Sequence, residues 1–390
     1  LSQTILVWGY AAWLTSYPVL QFLLPNNPLV GGLALIIGVG MACFHLVGRP
    51  GEFRFYDEAL LFIAAFGFMF FASQLIGNFE NLDPAALLNC IAMIIVMFLS
   101  ALIANSSVLR QVLATYSVLV AGFLVIVYLD GDYVWGRLVG RGQPNYWGMV
   151  ALSVACSAFA IRRFSVRIGV WAIVALILFA TNARGSLVAT ALAMGIGSWF
   201  AFRMGSWRLR YKLLMAALVL AVVFVWAEIE TGFISRQLLR VDDPYRGFEN
   251  YGNRLEPWIF GLSLWAERPF FGYGYRESDS LFGPIGLAQG GAHNGYITML
   301  VDLGVFGLLL YLLFIGRALS GVMKGLQSAE GLAALVMLIG YATIGWFERY
   351  ALNAGQSTSV VFLIAAFYAL SVGNRVRTRT AMPARVGLAR

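Results

Sequence analysis

Apolar runs of about 20 residues, the length an α-helix needs to cross a hydrocarbon core of roughly 30 Å, recur from one end of this 390-residue chain to the other. They constrain the fold more than any motif does, because a segment in lipid must satisfy its backbone hydrogen bonds internally. Twelve spans are read, at 3–24, 29–47, 57–76, 84–104, 108–129, 144–161, 166–181, 187–202, 213–227, 293–315, 332–346 and 357–372. Alternating ten-residue barrel strands are absent. The expected fold class is therefore all-α, a polytopic membrane protein of about 12 transmembrane helices. Composition agrees: 60% of residues are hydrophobic and only 12% charged, the latter about half the share in a soluble domain. The first span is expected to be a retained helix, since no basic stretch precedes it and no small-residue cleavage site follows.

These runs divide the chain into helices one to nine (1–227), a large loop (228–292), helices ten to twelve (293–373) and a basic tail (374–390). An even number of spans puts both termini on one side, and charge says which. One set of loops carries Arg49, Arg54, Arg110, Arg162, Arg163, Arg167, Arg203, Arg208, Arg210, Lys212, Arg317, Lys324 and the five tail arginines. Their only acidic companions are Glu52, Asp57, Glu58 and Glu330. That excess makes the side cytoplasmic. The net charge of +8 thus reports a lipid bilayer as partner, not nucleic acid. The tail is expected to be disordered and to meet anionic lipid. Cys43, Cys90 and Cys156 lie in apolar runs without metal-ligand spacing, so no disulfide framework is expected.

The opposite loops hold Arg137, Arg141, Arg184, Arg236, Arg240, Arg246, Arg254, Arg268, Arg276 and Arg349, and no lysine. A topology signal would use either residue, whereas planar, bidentate recognition of phosphate favours arginine. Ordinary ion pairs with the outer acids are the competing use. Within the long loop, Asn253 to Trp258 opens an apolar-patterned stretch at 259–265, expected as a short helix on the outer surface. The run Arg268 to Tyr275 ends it as a glycine turn. This loop should cap the bundle.

His293 stands where the loop enters span ten, close to solvent, and a neutral imidazole there can accept a proton. A lone histidine at such a boundary also serves as a hydrogen-bonding anchor, the only reading His45 has. Asp302 lies nine residues on, about 13 Å deeper in a continuous helix. An unpaired charge there costs about 3 kcal/mol or more. At 100° per residue it faces away from His293, which suits holding helices together. Arg184 occupies the Thr181 to Ser186 turn, beside the amino end of the next helix, where anions are favoured. Arg141, Asn145, Glu348 and Arg349 hold comparable outer positions. No DxD or histidine-rich cluster falls outside, so no metal and no cofactor are expected.

The stretches His293-Asn294-Gly295-Tyr296, Val301 to Gly307, Asn253 to Trp258, Glu267 to Gly274, Asn182-Ala183-Arg184-Gly185 and Gln143 to Gly148 resemble, in order and spacing, the bacterial O-antigen ligase and polysaccharide polymerase superfamily. The resemblance covers about residues 130 to 315, and the rest by topology alone. It implies a GT-C-like inner-membrane glycosyltransferase, inverting and metal-independent, with its active site periplasmic. The donor it implies is a glycan on a polyprenyl diphosphate, and the acceptor a second lipid-linked glycan or lipid A core. A chain-length regulator is a possible partner. Carried over by residue, Arg184 and Arg254 would bind the diphosphate and His293 would activate the acceptor hydroxyl. Arg141, Asn145, Arg268, Arg276, Asn294, Tyr296 and Arg349 would contact substrate, with Asp302 and Glu348 in supporting places. Where the family often has Glu two residues before the glycine, this chain has Asp302. Glu267-Arg268-Pro269 and Ala292 to Tyr296 look more like the polymerases than the ligases. Protein is a third acceptor class. A transporter of lipid-linked sugars is the alternative from another class, and would place broken helices near the midplane.

Overall fold

The computed structural model describes residues 3–25, 27, 29–49, 56–77, 83–134, 137–204, 252–282, 291–349 and 352–381. The expected ninth span, the loop before residue 252, residues 283–290 and the end of the tail lie outside them. Helices dominate: α1 (Gln3–Leu23), α2 (Leu29–Gly48), α3 (Asp57–Gly77), α4 (Pro84–Ala104), α5 (Leu109–Asp130), α6 (Pro144–Ser157), α7 (Phe164–Thr181), α8 (Arg184–Met204), α9 (Gly252–Glu267), α10 (Ser278–Phe282), α11 (Gly295–Val322), α12 (Ala329–Ile344) and α13 (Ser357–Ala381). One two-residue hairpin, β1 (Tyr133–Val134) with β2 (Arg137–Leu138), interrupts them between α5 and α6.

Among the described residues, eight helices are long and apolar enough to span a membrane: α2, α3, α4, α5, α7, α8, α11 and α13. The protein is thus an all-α, multi-pass membrane protein. Helices α1, α6 and α12 fill three more of the expected spans but fall outside that set.

Local chemistry accounts for the ends. Pro84 takes the first position of α4, where its missing N–H costs nothing, and Asp83 accepts from Ala85 N at 2.9 Å. Ser328 caps α12 through Gly331 N. Helix α13 does not stop at the tail, as expected, but runs on through Arg375, Arg377 and Arg379 to Ala381. No proline or glycine intervenes there until Pro383.

Helix α13 is the most enclosed span, packed by α1, α3, α4, α6, α11 and α12. Aromatic rings fill its contacts: Phe314 meets Phe62, Phe66, Phe362 and Phe367 edge-on, and Tyr341 stacks on Phe362 with centroids 4.1 Å apart. The enclosed α13 leaves α11 and α12 to carry the site at one end of the bundle.

Candidate active site

The expected continuous span at 293–315 is not continuous. Asn294 is the N-cap of α11, its side-chain oxygen accepting from Tyr296 N and Ile297 N at 3.0 and 3.1 Å. His293 precedes the helix at φ 46. His293 lies outside α11, so helical spacing does not place Asp302 on the face opposite it, as expected from a continuous helix. The helix breaks again at Gly304, with φ 67 and ψ −170.

The loop after α9 fills that break. Tyr273 N donates to Val301 O at 2.8 Å and Gly274 N to Asp302 O at 3.0 Å, while Val305 N and Phe306 N donate to Pro269 O and Phe270 O at 2.8 and 3.4 Å. Those two carbonyls and two amides are the partners an unbroken helix would have joined, residue i to i+4. For these four groups the loop takes the place of one turn of helix. Two glycines make the approach possible. A side chain at Gly304 would strike Phe270 O, and one at Gly272 (φ 68) would strike Val301 O.

Asp302 completes the joint. It is buried, and its Oδ1 accepts from Ser278 N at 2.8 Å at the start of α10. Its carboxylate thus ties α11 to the start of α10, the short helix within the loop. Tyr275 pins the other side, donating its hydroxyl to Leu352 O at 2.6 Å while its carbonyl accepts from Gln74 Nε2. Burial pushes the Tyr275 phenol well above its ordinary value, so it remains a donor.

The end of α12 is the hub. Gly295 N donates to Gly345 O at 2.7 Å. A Cβ on Gly291 would stand 3.0 Å from the Arg349 guanidinium, and one on Gly185 2.5 Å from Phe347. The segment 344–349 therefore gathers the His293 segment, Arg349 and the start of α8, whose first residue is Arg184. Within the turn expected at Thr181 to Ser186 the chain reverses at Asn182 (φ 47), and Arg184 begins α8. Glu348 is buried in the same segment. Arg349 Nη1 donates to Asp279 Oδ1 at 2.9 Å, and Arg276 Nη2 reaches Asp279 Oδ2 at 3.5 Å. Asp279 was not singled out from sequence, since an acid in a loop of mixed charge carries no local signal.

Other expected contacts are already committed to the fold. Tyr296 turns inward, donating to Ala342 O at 2.7 Å and lying against Trp346. Arg141 makes a two-pronged pair with Asp130 at 3.3 Å and lies 4.9 Å from the Phe22 ring centre. Asn145 accepts from Arg137 Nη2 at 3.1 Å, and Arg137 also donates to Thr181 O and Asn182 O at the carboxyl end of α7, where a cation is favoured. Arg137 thereby ties Asn145 to the turn before Arg184. Arg268 lies 4.5 Å from the Tyr273 ring centre, and Tyr273 donates to Glu267 at 2.6 Å. Partial burial and Glu267 push the Tyr273 phenol up to about 12. Arg254 falls in the first turn of α9, and its side chain lies outside the described residues.

Non-glycine residues at positive φ are strained. Among the described residues they are Arg141, Asn182, Arg276, His293 and Leu352. All five sit on the connections just described, three of them on expected site residues. No group of three or more His, Cys, Asp or Glu gathers among the described residues.

The family model described as O-antigen ligase matches residues 168–312, from α7 to the far side of the α11 break. The chain carries an O-antigen ligase family domain. That domain includes Arg184, Arg254, His293 and Asp302, and leaves Glu348 and Arg349, in the connection after α12, outside it. Activity of the O-antigen ligase and polymerase type, on lipid-linked glycan in a membrane, goes with the family. No curated protein matches the sequence.

Proposed function

We propose that this protein transfers a glycan from a polyprenyl diphosphate to a sugar hydroxyl on the periplasmic face of the inner membrane, joining lipid-linked repeat units into a polysaccharide. The observation that carries the reading is the convergence of the His293 segment, Arg349 and the start of α8 on the end of α12, within and beside the O-antigen ligase domain. In this reading the acceptor oxygen attacks the anomeric carbon from the face opposite the diphosphate. The new glycosidic bond forms as the carbon–diphosphate bond breaks, with inversion. His293 takes the hydroxyl proton, and Arg184 and Arg254 meet the charge that develops on the leaving diphosphate. Guanidinium groups fixed in place do this without a metal. Polar contact with the sugars falls to Arg141, Asn145 and Arg268, whose described partners leave part of each side chain's capacity to bond.

The family description, O-antigen ligase, favours a second reading in which lipid A core is the acceptor. A broken α11 is what a transporter would also show, but here the loop takes the carbonyls of Val301 and Asp302 and the amides of Val305 and Phe306, which favours a structural joint over a cargo site. One experiment separates the three. Purified, reconstituted protein is given a lipid-linked repeat unit in the presence of EDTA, and the products are run on a gel beside a His293→Ala control. A ladder lost in the control is expected. A single addition only when lipid A core is supplied would make it a ligase, and no transfer to either acceptor would refute the transferase.

A further inference from the structure

Two guanidinium groups from distant parts of the chain close on one carboxylate. Arg276 comes from the loop that fills the α11 break and is held in the left-handed region, and Arg349 comes from the connection after α12. Each faces a different oxygen of Asp279, at 3.5 and 2.9 Å. The Asp279 side chain is 45% exposed, while that of Arg349 is 22% exposed. Arg349 also lies against the backbone of Gly291, two residues before His293. Arg276, Asp279 and Arg349 all line a small cavity, to which Ser278, Thr298 and Asp302 also contribute.

A carboxylate spread across two arginine forks has the geometry of a bound oxyanion, since carboxylate and phosphate present the same pairs of acceptors to a guanidinium. Ion pairs this exposed are weakly held. A diphosphate, with more charge and more oxygens than a carboxylate, displaces Asp279 when it arrives. We propose that Asp279 is a built-in competitor for a diphosphate subsite formed by Arg276 and Arg349: it swings out as the donor binds and returns to help expel the diphosphate product. This inference rests on the transferase reading for the source of the diphosphate, but its test requires no transfer.

The test is calorimetric binding of inorganic pyrophosphate to the full chain in phosphatidylcholine nanodiscs. Asp279→Asn should bind pyrophosphate about tenfold more tightly than the unaltered protein, and adding Arg349→Ala should abolish the gain. Glu267→Gln removes a negative charge from the same loop at a place where Tyr273 holds it, and should leave the affinity unchanged. Asp279→Ser repeats the comparison should the Asn variant fold poorly. Affinity unaltered by removing the Asp279 charge, or raised equally by Glu267→Gln, overturns the proposal. A gain for glucuronate but not for pyrophosphate would also overturn it, assigning the arginines to an acidic sugar. The gel assay with His293→Ala, by contrast, reads only the transferase, so the two can fail separately.

Discussion

Replacing Gly304 by alanine tests the joint on which the site is built. At φ 67 and ψ −170 a residue with a side chain pays about 1–3 kcal/mol in backbone strain. Its Cβ would also meet the carbonyl of Phe270, and because the obstacle is backbone, relief requires the loop to withdraw. Withdrawal gives up bonds among Tyr273, Gly274, Val305 and Phe306, each worth about 0.5–1.5 kcal/mol net. Losing two of them together with the strain destabilises the protein by about 2–6 kcal/mol. Gly316 is the matched control, since it lies in the same helix with nothing within 4 Å of an added Cβ, and alanine there should stabilise by up to about 1 kcal/mol. Thermal unfolding of the purified proteins in detergent, followed by tryptophan fluorescence, compares them. Gly304→Ala should lower Tm by about 2–7 °C and Gly316→Ala should not lower it. Equal melting temperatures for the two variants would refute the account of α11 as a helix whose missing turn is supplied by the loop.

Asp302→Ala leaves Ser278 N without its acceptor in a buried place and should cost about 1–3 kcal/mol in chemical unfolding, with Asp302→Asn costing less because an acceptor oxygen remains. Arg184→Lys and Arg254→Lys keep charge but lose the planar fork. Each is expected to lower turnover in the glycan-transfer assay by about tenfold, near 1.4 kcal/mol in the barrier, and full activity in both would remove these arginines from diphosphate binding.

Much of the architecture is legible along the chain because burial in lipid demands a local pattern: some 20 apolar residues in a row fold as a helix wherever they occur. The α9 helix and the glycine turn after it could be read from the apolar stretch at 259–265 and from Arg268 to Tyr275. The site was legible only as a set of residues. Asn294 and Tyr296 look like polar contacts in the sequence, yet one caps α11 and the other packs against α12. Arg137 looks like one more outer arginine, yet it ties Asn145 to the turn before Arg184.

What the sequence by itself determined is the class, an all-α membrane protein. Only the tertiary structure decided that α11 is broken at Gly304, that Asp302 serves the loop, and that Arg276 and Arg349 share Asp279. The reason is range. Apolar length and charge bias are properties of neighbouring residues, whereas the bonds that fill the break join residues about 30 positions apart, and Arg349 meets Asp279 across 70. Such pairings leave no periodic mark on the chain and exist only once the helices have packed.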